Sequence, residues 1–165
     1  MSVVATLAGA EPAGLRVVID RVDLRTQGRF QVVDVTELVD ERVRRSRVRC
    51  GLVSVQTAHT TTAVFVNENE PLLIEDVRRL LERLVPADAA YGHDDLEARS
   101  PRVAPDERRN GCAHCRAVLL PVSVTLNVVG GRMDLGRWQR VLLAELDGGQ
   151  KRTLSILVLG EGGEP

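Results

Sequence analysis

The sequence has 165 residues, which is enough for one domain with a substantial core but not for two. Apolar residues make up 44% and charged residues 27%, and 22 basic side chains nearly cancel 23 acidic ones, which excludes an intrinsically disordered chain and argues against a strongly basic nucleic-acid binder. Only 2% of the residues are aromatic, so we expect an aliphatic core.

Residues 1–14 are apolar and small, and we expect them to form a flexible N-terminal extension. They lack the basic n-region of a secretory signal, since the first basic residue is Arg16. No apolar run approaches the roughly 18 residues that a membrane-spanning helix needs. The three cysteines do not form a disulfide framework, so we expect a cytoplasmic protein with no membrane partner.

Two β-branched segments, Leu15–Asp20 and Phe30–Val35, predict a pair of strands joined by a short polar connection. A helix is predicted from Glu37 to about Arg47, with Asp34 or Thr36 as its N-cap. The arginines in its last turns are typical of a solvated helix end, where the helix dipole favours cations.

The middle of the chain predicts two more strands, Leu52–Thr57 and Ala63–Asn67, joined by a hydroxyl-rich link. Leucines at i, i+3, i+4 and i+7 spacing then predict a helix over Pro71–Val85. We expect Asn69 to cap this helix and Glu70 to lie in its first turn.

The last third begins with a long loop, Ala87–Arg109, that has little apolar periodicity and a length typical of functional loops. A short helix is possible at Gly111–Leu120. Three strands follow, the last two joined by a predicted hairpin at residues 147–150: Ser123–Val129, Arg137–Leu146 and Lys151–Leu159.

These elements predict an α+β fold, a mostly antiparallel β-sandwich with two main helices. We expect a single domain over residues 15–160 and a C-terminal tail over residues 161–165.

Three histidines lie at element ends or in loops, where functional residues are often mounted. His59 precedes three threonines, His93 is followed by Asp94 and Asp95, and His114 lies near the start of the short helix. Their separations match no local metal motif, and a lone histidine is more often a surface or core residue. If the three converge, they form a three-nitrogen site suited to zinc.

Cys112 and Cys115 form a Cys-x-x-Cys motif. Such a motif is half of a structural zinc site or a redox pair, but no second ligand pair accompanies it and an acidic loop precedes it. We therefore interpret these cysteines as incidental, with metal coordination by one of them as the alternative.

Two further polar regions have a structural and a functional interpretation. Asn67 and Glu68 belong to a polar helix start, or they line the pocket of His59. Arg132 and Arg137 lie in glycine-bearing turns, or they bind a phosphate group.

Several motifs occur in a fixed order between about Leu15 and Gly160. They are Gly51, His59-Thr60-Thr61, Asn67-Glu68-Asn69-Glu70, Pro86, Tyr91-x-His93-Asp94, Asn110-x-x-Ala113-His114, Gly131, Leu135-Gly136-x-Trp138-Gln139, Glu145-Leu146-Asp147-Gly148 and Arg152. This ordered set resembles the YjbQ-like family, also called the secondary thiamine-phosphate synthase family. Thr62 replaces a small residue of the family pattern, and Cys112 and Cys115 are not part of it.

The resemblance implies a homotrimer whose three histidines hold a divalent ion, zinc or, for a synthase reaction, magnesium. It also implies a weak thiamine-phosphate synthase activity that joins hydroxymethylpyrimidine diphosphate to thiazole phosphate and releases pyrophosphate. The implied roles are metal ligation by His59, His93 and His114, catalysis by Asp94, Asp95 and Asn110, and substrate binding by Thr60, Thr61, Asn67, Glu68, Arg132 and Arg137.

Two other functions fit the same residues. One is a metal-assisted hydrolase of a small phosphorylated or acyl substrate, since a bound ion that generates hydroxide serves hydrolysis as well as transfer. The other is a protein without catalytic activity that binds a metabolite or a metal.

Overall fold

The computed structural model describes residues 14–99, 103–104 and 107–162. This part of the chain contains eight strands, three α-helices and one 3₁₀ turn at Gly92–Asp94. The strands are β1 (Leu15–Arg25), β2 (Gln31–Asp34), β3 (Val48–Thr57), β4 (Thr62–Asn67), β5 (Ser123–Val129), β6 (Arg132–Met133), β7 (Arg140–Glu145) and β8 (Lys151–Gly162), and the helices are α1 (Thr36–Ser46), α2 (Pro71–Leu84) and α3 (Gly111–Val118).

The strands form two antiparallel sheets. The large sheet has the order β1-β8-β3-β5-β6, and the small sheet has the order β2-β7-β4. Every strand pair in both sheets is antiparallel. The predicted α+β class with antiparallel sheets is confirmed, and α3 is a third helix beside the two main ones.

In each sheet, the burial pattern of one interior strand shows how the sheet is covered. In β8, buried and partly exposed residues alternate from Arg152 onward, because one face of the large sheet packs on the core and the other faces outward. In β7, Val141 to Glu145 are all buried, because the small sheet is covered on both faces.

Two apolar clusters cover the two faces of the small sheet. The larger cluster lies between the sheets and includes Val39 of α1, Val64 of β4 and Ile156 of β8. The smaller cluster joins the other face to α2 and α3 through residues such as Leu81 and Ala113. The small sheet is therefore the middle layer of the domain.

The helix starts follow local side-chain chemistry. Helix α1 begins where Asp34 Oδ1 accepts a hydrogen bond from the Thr36 amide at 2.9 Å. Helix α2 is capped by Glu70, whose two carboxylate oxygens accept from Leu72 N and Leu73 N, whereas we had expected Asn69 in this position. Asn69 instead donates its side-chain amide to Asp34.

Two predicted strand connections differ from the structure. β1 pairs with β8 and β2 pairs with β7, so the first two strands are not paired with each other. β7 and β8 also lie in different sheets, and residues 147–150 are a crossover between layers rather than a hairpin. Turn residues between two apolar segments mark where the chain reverses, but they do not encode which sheet receives the next strand.

The domain bounds differ slightly from the expectation. Glu161 and Gly162, expected in the tail, extend β8. Apart from Gly14, the expected N-terminal extension lies outside the described residues. Within the described part, none of the helices has the length and apolar character needed to cross a bilayer.

Candidate active site

A cavity of about 400 Å³ opens at the end of the domain where the chain crosses between the sheets. The β3–β4 link and the β7–β8 link both contribute to its wall, as do the long loop and the start of α3. We call it the histidine cavity. Its lining residues are Thr60, Thr61, His93, Arg99, Glu107, Arg108, Asn110, His114, Asp147, Gln150 and Arg152.

His93 and His114 lie side by side in this cavity. Their ring centroids are 4.5 Å apart, with the planes tilted by 56°. The Nε2 atom of His93 is buried and has no hydrogen-bond partner among the described residues. Burial lowers the pKa of His114, and the neighbouring His93 lowers it further, so the neutral imidazole is favoured. A buried nitrogen without a partner costs free energy unless a ligand satisfies it.

His59, the third predicted metal ligand, does not line the histidine cavity. Its Nε2 accepts a hydrogen bond from Thr153 N of β8 at 2.8 Å. Burial, followed by the charge of Arg152, lowers the pKa of His59, which favours the neutral ring that this bond requires. Among the described residues, no three His, Cys, Asp or Glu side chains converge closely enough to hold an ion.

Asp147 and Asn110 connect the loop to the crossover. The carboxylate Oδ2 of Asp147 accepts hydrogen bonds from Arg108 at 3.1 Å, Asn110 at 3.2 Å and Gln150 at 2.8 Å. The side-chain oxygen of Asn110 is buried and, within the described residues, lacks a partner. Asn110 therefore keeps one free acceptor beside the two histidines.

A buried ion pair lies beneath the cavity. Glu145 is fully buried and Arg152 is 4% exposed, and two hydrogen bonds of 2.6 Å join them. Thr26 Oγ1 donates to Glu145 at 2.7 Å, and Arg152 donates to Thr61 Oγ1 at 3.2 Å. Although burial raises the pKa of Glu145, the hydrogen bonds from Arg152 and Thr26 outweigh it and the pKa falls below its usual value. The hydrogen bond from Arg152 therefore positions the Thr61 side chain. Thr60 and Thr61 both line the cavity.

Two of the predicted catalytic residues, Asp94 and Asp95, bind backbone groups. Asp94 Oδ1 accepts from Gly111 N at 2.8 Å, which attaches the 3₁₀ turn to the start of α3. Asp95 Oδ1 accepts from Ala98 N at 3.0 Å. The Asp94 hydrogen bond holds the turn that carries His93 against the start of the helix that carries His114.

Four predicted substrate-binding residues lie away from the histidine cavity of the same chain. Asn67 is at the far end of β4, paired with Arg140, and Glu68 follows it. Arg132 lies 3.9 Å from Asp40, and Arg137 stacks on Trp138 at 4.7 Å from the ring centroid. Asn67 lies five positions beyond Thr62 along β4, a distance of roughly 17 Å, so the strand length accounts for this separation.

The two cysteines of the Cys-x-x-Cys motif lie on α3 and are unpaired. Cys112 is half-buried, with its Sγ 3.7 Å from the Val85 carbonyl oxygen, and Cys115 is exposed. Burial raises the pKa of Cys112, which favours the neutral thiol.

Sequence reasoning did not assign Arg99, Glu107, Arg108 or Gln150 to the site, although all four line the histidine cavity. Arg99 forms an ion pair with Glu107 at 3.1 Å and donates to the His93 carbonyl at 3.2 Å. For Arg99, Glu107 and Arg108, the available signal was the concentration of charged residues in a long loop without apolar periodicity.

The comparisons with known proteins agree on one family. The model of the family described as "UPF0047 protein YjbQ-like" matches residues 20–161. A UPF0047 protein of Methanothermobacter thermautotrophicus is 38% identical over 147 residues, 89% of this chain and 95% of that protein. A UPF0047 protein of Archaeoglobus fulgidus is 39% identical over 136 residues, 82% of this chain and 97% of that protein.

Solved structures show the same fold. A YbjQ-like protein of unknown function from Sulfolobus solfataricus has a TM-score of 0.80 and 28% identity, covering 90% of this chain and 100% of that one. A hypothetical protein from Aeropyrum pernix has a TM-score of 0.76 and 35% identity, covering 87% of this chain and 99% of that one. With its sequence matched over nearly the whole domain and its two-sheet architecture shared, the chain belongs to the YjbQ-like UPF0047 family.

Proposed function

We propose that the protein is a metal-dependent transferase that joins hydroxymethylpyrimidine diphosphate to thiazole phosphate and releases pyrophosphate. The observation that carries this proposal is the buried Nε2 of His93, which has no partner among the described residues and lies beside His114 in a cavity that also presents arginines. An anionic leaving group needs such positive charge around it as the bond to carbon breaks.

His93 and His114 are the residues that would hold the ion, zinc or, alternatively, magnesium. When bound, it would supply positive charge to the departing diphosphate. The pair fits this role in part, because a catalytic zinc usually has three protein ligands and His59 bonds to β8 instead. Water or the phosphate oxygens of a substrate would supply the remaining ligands.

The chain's own residues bind and orient the substrates. Arg99 and Arg108 lie on the rim of the histidine cavity, where their guanidinium groups suit phosphate oxygens. Asn110 offers its free side-chain oxygen to a donor on a substrate ring. Thr60 and Thr61 also line the cavity and offer hydroxyl groups. In the reaction, the electron pair of the carbon–oxygen bond leaves with pyrophosphate while the new bond to the thiazole forms.

The test combines metal content with product formation. We expect the His93→Ala and His114→Ala variants to lose both bound metal and thiamine phosphate formation, because their rings form the pair. His59→Ala should retain the metal, and Arg83→Ala, an exposed change on α2, is the control. Negligible metal in the wild type, or equal product formation in His114→Ala, would refute the proposal. Loss of metal in His59→Ala would indicate instead that all three histidines hold the ion.

A hydrolase is the second candidate, because the neutral imidazole that burial favours at His114 is the form that accepts a proton from water. The two reactions are distinguished by omitting the thiazole phosphate. A transferase should then release little pyrophosphate, whereas a hydrolase should release it at an undiminished rate.

We also propose that the protein assembles as a homotrimer. The outward face of the large sheet carries Val17, 57% exposed, Ile19, 66% exposed, and Leu52, 42% exposed, next to Leu157 and Leu159 of β8. A contiguous apolar patch of this kind supports burial against another copy. Light scattering should give three times the chain mass for the wild type and a smaller mass for Ile19→Asp. A monomeric wild type would refute the assembly.

A further inference from the structure

A second cavity, of about 230 Å³, adjoins the histidine cavity at Asn110 and Asp147, which line both. It lies against the buried side of α3, and four arginines contribute to its wall. We call it the arginine cavity after Arg29, Arg78, Arg109 and Arg116. Of the residues assigned to the proposed function above, only Asn110 also lines this cavity.

Arg116 gives the cavity a preorganised positive charge. Its side chain is only 6% exposed and is held by Val85, whose carbonyl oxygen accepts from Nε at 3.0 Å and from Nη2 at 2.8 Å. Nη2 also bonds the Glu82 carboxylate. Nη1 makes no hydrogen bond to a residue that the structure describes. A fixed guanidinium with a free nitrogen loses little conformational entropy when it binds an anion.

The charges around the cavity do not cancel. Arg78 is paired with Glu75, and Arg108, outside this cavity, donates to Asp147. Arg29 and Arg109 have no ion-pair partner in residues 14–99, 103–104 and 107–162. The wall also includes the carboxylates of Glu82, Asp94 and Asp147, so its four arginines leave a net charge of +1, which favours an anion.

The rest of the wall and the volume indicate what kind of anion fits. Phe30, Ala113 and Leu146 provide an apolar side next to the arginines. The volume is below the roughly 300–1,000 Å³ of a site for a whole small-molecule ligand. The cavity therefore suits one phosphate group and the small organic group that carries it, and not a complete substrate.

We propose that the arginine cavity is a second subsite, which binds the phosphate of a substrate whose reacting end lies beside His93 and His114. Asn110, which lines both cavities, marks the connection between the two ends of that substrate. The identity of the substrate rests on the proposed function, but the binding of a phosphate anion in this cavity does not.

Cys112 provides a local reporter because it lines the arginine cavity and is half-buried. Replacing Cys50 and Cys115 by serine leaves Cys112 as the sole cysteine of the three in the chain. In this background, alkylation of Cys112 by iodoacetamide is followed at rising concentrations of inorganic phosphate, without metal. The reaction is run at alkaline pH, because burial raises the pKa of this thiol.

We expect phosphate to protect Cys112. Arg29→Ala with Arg109→Ala should raise the half-protecting phosphate concentration by about tenfold per arginine, since each removes a charge-assisted bond. Arg83→Ala, an exposed change outside the cavity, should leave it unchanged.

Two results would overturn the subsite: no protection in the starting background, or equal protection after both arginines are removed. Protection that depends on Arg108 and not on Arg29 and Arg109 would place the anion in the histidine cavity and would also overturn it. Protection without thiamine phosphate formation would refute the proposed function and leave the subsite standing.

Discussion

The buried pair of Glu145 and Arg152 makes a strong prediction about stability. Arg152→Met removes the two 2.6 Å hydrogen bonds to a carboxylate that has no exposure to water. Breaking one partner of a buried pair costs about 3–5 kcal/mol, because the other charge remains buried. With a urea m-value of roughly 2 kcal/mol/M, the unfolding midpoint should fall by about 1.5–2.5 M.

The loss of stability in Arg152→Met should change with pH in a definite direction. In the wild type the pKa of Glu145 lies below its usual value, because hydrogen bonds outweigh the effect of burial. Its stabilisation is therefore present above the ordinary glutamate pKa of about 4.3 and is lost as the pH falls through the lower folded value. In Arg152→Met, burial dominates and the carboxyl takes up a proton more readily. The difference in unfolding free energy from the wild type should thus be largest at neutral pH and shrink towards about pH 4.5.

The assay is urea unfolding followed by circular dichroism at one protein concentration, at neutral and at acid pH. Lys151→Met is the matched control, since the neighbouring Lys151 pairs with Asp23 at 2.7 Å where both side chains are half exposed or more. Exposed pairs contribute little, so its midpoint should hardly move. Equal shifts in the two variants, or a deficit in Arg152→Met that does not change with pH, would refute the reasoning.

Two further predictions concern Gly51 and His59. A Cβ at Gly51 would lie 2.1 Å from the Leu159 carbonyl oxygen, so Gly51→Ala should lower the melting temperature by roughly 3–10 °C in calorimetry. Gly92→Ala is the control, because a Cβ at Gly92 would have nothing within 4 Å and should leave the melting temperature unchanged. Equal melting temperatures in the two variants would contradict this prediction. Because burial lowers the pKa of His59, its stabilisation is present above about pH 6.5 and lost below it, so His59→Gln should show a flatter pH dependence of melting between about pH 7 and 5. An unchanged slope would show that His59 does not carry this dependence.

Secondary structure was predicted well where periodicity is strong. The leucine spacing of α2 and the apolar segment that became β7 gave bounds within a few residues of the observed Pro71–Leu84 and Arg140–Glu145. Strand partners were not predictable, because β1 pairs with β8 more than a hundred residues later. Period-2 patterns state which face of a strand is buried, but not which strand lies beside it.

The candidate site was predictable in its residue types and less so in its geometry. His93 and His114 are 21 residues apart, and their contact depends on a loop that is joined to α3 by the hydrogen bond from Gly111 N to Asp94. Arg132 and Arg137 were singled out for their chemistry, yet the strands carry them away from the cavity. Two of the arginines that do line it, Arg99 and Arg108, lie in a loop without a periodic signal.

The position of β8 has a consequence for how the protein is made. It is the last strand of the described residues, yet it lies between β1 and β3 in the large sheet. Until it is synthesised, β1 and β3 have no partner on that side, and both expose strand edges that invite pairing with other chains. The large sheet therefore cannot assemble during translation until β8 emerges. The nascent chain is most exposed to aggregation just before β8 is made.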